Sequence, residues 1–228
     1  MFKKRSRVIL ITILAVIVII AAFLIFTYLG SQSNLVAGPG VKVGDEFTYD
    51  IKSYWSSQDP DALPSDSFLE FNLTEWYKVT VTDVSGAVVS VNTTWRFNNG
   101  TEIAAASSID VETGIPYPTT GFYPIYAANL KAGDKVRPLG PDRSTINETT
   151  TRQYASGTRE TNRISLVQEA YDADDPTYTR TWTETTTTNF DKQTGMLVEL
   201  RDTNVYKNPD ITLTLLWTLI DTDVWAVS

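Results

Sequence analysis

From residue 46 onward the side chains alternate apolar and polar with a period of two, and no later stretch carries a sustained helical stripe. Phe47, Tyr49 and Ile51 alternate with Thr48, Asp50 and Lys52. Successive side chains of a strand point to opposite faces, so this pattern predicts strands with one buried and one solvated face. It recurs over 68–84, where Leu69, Phe71, Leu73, Tyr77, Val79 and Val81 share one parity and Glu70, Asn72, Thr74, Lys78 and Thr80 take the other. After a Ser85-Gly86 turn, Val89, Val91, Trp95 and Phe97 alternate with Ser90, Asn92, Thr94 and Arg96. Asn98-Asn99-Gly100 then supplies residues that tolerate positive φ, a hairpin signal. Residues 112–128, rich in Pro, Gly and aromatics, read as a long loop or irregular edge.

Further strands are predicted over 144–154, 158–171 and 177–190, with turns at Ala155-Ser156-Gly157 and 172–176. Asp191-Lys192-Gln193-Thr194-Gly195 turns the chain between two β-rich runs. The last predicted strand places Ile211, Leu213, Leu215, Trp217 and Leu219 on one face. The fold class is therefore all-β. About nine or ten twisted antiparallel strands must curl or close, giving a half-barrel, a barrel or a sandwich. Val41-Lys42-Val43-Gly44-Asp45 and Leu130-Lys131-Ala132-Gly133-Asp134 echo one another, as a duplicated unit or as shared turn chemistry.

Ahead of the strands, residues 8–29 form an apolar run of 22 residues broken only by Thr12 and Thr27. At about 1.5 Å of rise per residue, such a helix covers roughly 33 Å, the thickness of a bilayer's hydrocarbon core. One N-terminal transmembrane helix is expected. Lys3, Lys4, Arg5 and Arg7 precede it, and the first 29 residues hold no carboxylate. Cations stay on the cytoplasmic side, which puts the N-terminus inside and residues 30–228 outside. Two other readings stand beside this one. A cleaved secretory signal normally has a shorter apolar region and a small-residue cleavage site. A pilin-like assembly helix usually carries an early carboxylate, and this run has none. The expected organisation is a cytoplasmic tail (1–7), a transmembrane helix (8–29), a Gly/Pro-bearing linker (30–40) and an extracytoplasmic β domain (41–228).

Charge and composition then remove whole classes of chemistry. The chain holds 19 basic and 27 acidic residues, and without the four N-terminal cations the balance is 15 against 27, or −12. Nucleic acid and anionic lipid surfaces need a cationic footprint, so neither is an expected partner. Cysteine and histidine are absent. That excludes disulfides, zinc sites of the Cys/His type, thiol nucleophiles, Ser-His-Asp triads and haem histidines. Carboxylates, Ser/Lys pairs and calcium remain. Asp172, Asp174 and Asp175, like the looser set Asp59, Asp61 and Asp66, lack the Gly and terminal Glu of an EF-hand and read as solvated turns. No metal and no cofactor is expected. Any of 27 carboxylates could be nominated for a glycosidase pair, so no catalytic residue is assigned and an enzyme is the least expected reading.

Two residue sets point outward from the fold. Asn72, Asn92, Asn99 and Asn147 each open an Asn-x-Thr sequon, suited to glycosylation on an extracytoplasmic domain. Trp55, Trp76, Tyr117, Phe122, Tyr123 and Tyr126 are candidates to line a ligand groove beside a curved sheet; core packing explains the same aromatics. The threonines at 177, 179, 181, 183, 185 and 187 form one face of a strand, read as solvated.

The phrases GDEFTYDI (44–51), FNNGTE (97–102), AGDKV (132–136), YASGTRETNRI (154–164) and FDKQTGMLVEL (190–200) resemble uncharacterised single-pass, β-rich surface proteins of archaea. FDKQTGMLVEL is also similar to hairpins of bacterial periplasmic lipoprotein carriers, whose incomplete barrels hold acyl chains; a lipobox cysteine is absent here. The first resemblance implies a membrane anchor and brings no activity; the second implies a lipid-like ligand. Together these readings lead to the expectation of a membrane-anchored envelope protein that binds a lipid-like or glycan ligand in a curved sheet. The alternative is a structural envelope component that assembles through its β domain.

Overall fold

The computed structural model describes residues 37–119, 121–171, 181–207 and 210–228. The expected membrane helix, most of the linker and the Asp172, Asp174, Asp175 turn lie outside the described residues. No helix among the described residues is long and apolar enough to cross a membrane.

The alternating segments become ten strands: β1 (Glu46–Ser57), β2 (Thr74–Ser85), β3 (Val88–Phe97), β4 (Glu102–Asp110), β5 (Pro116–Tyr117), β6 (Glu148–Tyr154), β7 (Gly157–Tyr171), β8 (Thr181–Asp191), β9 (Leu197–Lys207) and β10 (Asp210–Thr222). Every pairing is antiparallel, in one sheet of order β5-β4-β3-β2-β1-β10-β9-β8-β7-β6. The sheet is curved and does not close; β5 and β6 are its edges. A closed barrel is thereby excluded, and an open curved sheet is what the alternation builds.

The sheet is two five-stranded meanders joined at the centre by β1 and β10. Their inner face is the one the alternation marks. Phe47, Tyr49 and Ile51 on β1, Val79 and Val81 on β2, Val89 and Val91 on β3, Ile164 on β7, Phe190 on β8, Leu197 on β9 and Leu219 on β10 are all buried. Adjacent strands lie about 4.8 Å apart, so β2 and β10, with β1 between them, should stand about 9.6 Å apart. Yet the Tyr77 and Trp217 rings converge to 5.0 Å between centroids. Side chains that lean together across an intervening strand mark the concave side.

Residues 118–147 carry the chain from one meander to the other across this face. Phe122, Ile125, Ala127, Leu130, Val136 and Ile146 are buried in the same core as the strands. Ile125 bridges to Met196, and Ala128 bridges to Gly38, where the chain enters the domain. Part of the 112–128 stretch, read from the sequence as a long loop or irregular edge, thus belongs to a plug formed by this crossing segment. Arg137 ties it down: its guanidinium donates to the carbonyls of Val111 at 3.2 Å, Ile125 at 2.6 Å and Tyr123 at 3.3 Å, and lies 4.5 Å over the Tyr126 ring.

The sequence echo at 41–45 and 130–134 is one turn made twice. Lys42 N–H donates to the Asp45 carboxylate and Lys131 N–H to that of Asp134, each at 2.9 Å. Gly44 N–H donates to Val81 O while Val81 N–H donates to Asp45 O; Gly133, Asp134 and Ile146 repeat that exchange. Asp110 and Asp191 open a second matched pair. Each carboxylate accepts the N–H groups two and three residues on, and each carbonyl accepts from a glycine, Gly114 or Gly195. The two phrases fall in the same order in both meanders, as in a duplicated unit.

One predicted strand needs correcting. Residues 68–73 are not extended: a short helix α1 (Asp66–Leu69) runs into a 3-10 turn (Glu70–Leu73), and the strand starts at Thr74. Ser65 caps the helix by accepting from Phe68 N–H, a local signal that overrides a period-two pattern of only three apolar residues. The Asn98-Asn99-Gly100 turn leads into β4 as a hairpin, with Gly100 at φ 82°.

Candidate functional site

The plug covers only part of the inner face. Register places successive rows across β1, β10, β9, β8 and β7 beyond it. One row is Ile51–Trp217–Leu200–Thr188–Ile164; the next is Ser53–Leu215–Asp202–Thr186–Leu166; the third is Trp55–Leu213–Asn204–Glu184–Gln168. Burial falls along this direction. Ile51 and Ile164 are buried, Trp217, Leu200, Leu215, Asp202 and Thr186 are half-buried, and Leu166 and Trp55 are 48% and 42% exposed. On the other meander Trp95 continues the face, stacked on Phe97 at 4.8 Å and on Phe71 of the 3-10 turn at 5.7 Å. Thr74 Oγ1 accepts from Trp95 Nε1 at 2.9 Å and fixes the indole. Trp217 stands against Tyr77 and Phe122 at the plug's margin.

The outcome is an apolar wall bordered by a polar group. Asp202 is its centre: Thr186 Oγ1 donates to one carboxylate oxygen at 3.1 Å, and Asn204 Nδ2 donates to the other at 3.2 Å. Burial pushes the Asp202 pKa up and the nearby Glu184 charge adds to this, while the hydrogen bonds from Thr186 and Asn204 offset it only in part. Glu184 in turn accepts from Gln168 Nε2. A surface with indole and leucine beside carboxylate, amide and hydroxyl can stack on the apolar side of a ligand and hold its polar edge. Deeper in, burial pushes the Tyr49 hydroxyl pKa well up, with Tyr77 adding to it; Tyr49 donates to Leu197 O at 3.0 Å. That group serves the core.

The structure disperses the six aromatics singled out in the sequence. Phe122 is 3% exposed and packs on Tyr49 and Tyr77, so it is core. Tyr126 stacks on Phe190 at 4.4 Å beneath Arg137 and holds the plug. Tyr123 donates to Pro118 O within the crossing segment. Tyr117 is 69% exposed on β5. Trp76 lies on the opposite face from the inward Tyr77. Trp55 alone falls on the open rows. Of the residues that build this face, the sequence places Trp95, Leu215 and Trp217 on strand faces without assigning them to a site, and Leu200, Asp202 and Thr186 are not among its candidates. Their inward parity is legible in the sequence, but the pairing of β1 with β10 that aligns them is not.

A second concavity lies on the other face, about 350 Å³ in volume, lined by Glu148, Thr150, Arg163, Thr187, Asn189, Glu199 and Arg201. Arg163 pairs with Glu148 and Arg152 with Glu199, both at 2.9 Å. Its charges largely satisfy one another, as on a solvated strand face. Thr183, Thr185 and Thr187 share that face; Thr177 and Thr179 lie outside the described residues. Asp59 accepts from Asp61 N–H at 3.0 Å and closes a turn, and Asp66 sits in the first turn of α1.

The sequons divide as well. Asn92 lies exposed on β3 and Asn99 in the β3–β4 turn. Asn147 is exposed and accepts from Ser165 N–H at 2.6 Å. Asn72 is engaged at both its amide oxygen and its amide nitrogen: Oδ1 accepts from Ser53 N–H at 2.9 Å and Nδ2 donates to Ser53 O at 3.0 Å. No family model matches the chain, and no curated protein does.

Proposed function

We propose that this protein is a membrane-anchored, extracytoplasmic binding protein that holds a glycan-class ligand on the open rows of its inner face. Residues 8–29 serve as the anchor, with the N-terminus in the cytoplasm. The observation that carries the reading is the half-buried Trp217–Leu200–Leu215 wall beside the Asp202–Thr186–Asn204 group. Sugars present apolar C–H faces and paired hydroxyls at once, which is what such a wall and such a carboxylate complement. An acyl chain would instead need the deep part of the trough, and Phe122, Ile125 and Ala127 occupy it. Gly38 enters the domain beside the Asp191–Met196 turn, and the open rows lie at the other end of the sheet from Gly38.

The test is a glycan array probed with the full chain in detergent micelles, beside a panel of neutral lipids. Glycan binding that Asp202→Asn weakens by about tenfold or more is the expected result, given roughly 1.5–3 kcal/mol for a hydrogen bond to a charged group. Binding should also fall as pH drops through the raised Asp202 pKa, because a protonated carboxyl loses an acceptor. Retention of lipids but not glycans, or binding indifferent to Asp202→Asn, would reject the assignment.

A further inference from the structure

The two edges of the sheet are unequal. β5 pairs only with Ser108 and Ile109, so, among the described residues, positions 102–106 of β4 have a strand on one side alone. All five are exposed, Ile103 by 53%, whereas Ser107, the next residue, is buried and packs against Gly121 of the crossing segment. The hydrogen bonds give the direction of each backbone group. Asp110 N–H donates to Ile115 O on the β5 side, whereas Val111 N–H donates to Ala87 O on the β3 side. The β3–β4 register runs without a shift, so the N–H and C=O groups of Glu102, Ala104 and Ala106 face away from the domain.

Edge strands are normally blunted by long charged side chains, prolines or bulges. The β6 edge follows that rule, with Glu148 and Arg152 on it. The β4 edge breaks it. Its sequence is Glu-Ile-Ala-Ala-Ala, and the one charge is neutralised by Arg96, 2.7 Å from Glu102. Three alanines in succession put no bulk on either face to keep a second strand away.

We infer that residues 102–106 of β4 pair antiparallel with the same residues of a second copy of this chain, about a two-fold axis at Ala104. The edge matches itself: Ala104 meets Ala104, and Glu102 meets Ala106 of the second copy, so no like charges are opposed. All three outward N–H and C=O sets are then paired, and the register stops short of Ser108, which β5 already occupies. Five residues of pairing bury far less than the roughly 1,200 Å² of a stable standard interface. The contact is therefore weak between dilute molecules and forms when copies are crowded together, as on one membrane surface. The inference is independent of any ligand on the inner face.

The chain has no cysteine, so single reporters carry no background. In cells expressing the full chain, Ala104→Cys under mild oxidation should give a disulfide-linked dimer. Hydrogen-bonded antiparallel partners have Cα atoms about 5.5 Å apart, inside the roughly 4.4–6.8 Å that a disulfide spans. Thr151→Cys on the exposed β6 edge should stay monomeric. Adding Ala106→Pro to Ala104→Cys should abolish the cross-link without lowering the melting temperature, since the Ala106 N–H has no partner among the described residues. A monomeric Ala104→Cys chain overturns the inference. So does cross-linking that survives Ala106→Pro, equal cross-linking of Thr151→Cys, or capture of a different protein in place of a second copy.

Discussion

Asp191 shows how much one side chain can hold in place. It is fully buried, and Arg159 grips both carboxylate oxygens at 2.8 Å while lying 4.2 Å over the Trp225 ring. The same carboxylate accepts from the Gln193 and Thr194 N–H groups and the Thr194 hydroxyl. Removing it strands a guanidinium that is only 15% exposed. Asp191→Ala should cost about 3–5 kcal/mol, read as a lower denaturation midpoint with an unchanged m-value. Asn72 is decided by geometry of the same order. In a trans secondary amide the sugar takes the position syn to the oxygen, which is where the hydrogen bonding Ser53 O lies. Mass spectrometry of native material should find Asn72 bare and any glycans confined to Asn92, Asn99 and Asn147; a glycan on Asn72 would mean that this clamp does not form. A sequon spells the chemistry of attachment, and it says nothing about whether the amide is already engaged.

Among the elements, the strands were legible and the crossing segment was not. Parity gave the inward residues of β1, β2, β3 and β10 correctly because a two-residue period has only two phases. Residues 68–73 share that parity by chance, and Ser65 decides the matter by capping a helix. The plug carries no period at all; its burial depends on Arg137 finding three carbonyls and on Gly195, where a Cβ would stand 1.9 Å from Tyr126 O. Arg137→Met keeps the length and loses the donors. It should destabilise the domain by about 3 kcal/mol, through buried carbonyls left without partners, and open the 118–147 segment to limited proteolysis ahead of the strands. Intact protection of that segment in Arg137→Met would show that packing alone secures it. The same limit explains the candidate site. Trp217 is placed on a face by its parity, yet which strands lie beside it is fixed by partners far away in the chain.

For the molecule as a whole, the central seam has a consequence for how the domain comes into being. β1 and β10 stand side by side at the middle of the sheet, with Phe47 opposite Thr222 and Trp55 opposite Leu213. Synthesis from the N-terminus therefore delivers β1 early and must leave one flank of it bare until nearly everything else has been made. Each meander can rehearse its own hairpins in the meantime, but the keystone arrives last, and joining ends so distant in sequence is slow. Chains halted before residue 210 should remain digestible throughout, while the full chain acquires a resistant core in a single step. Halted chains that already resist protease would show that one meander stands without the other.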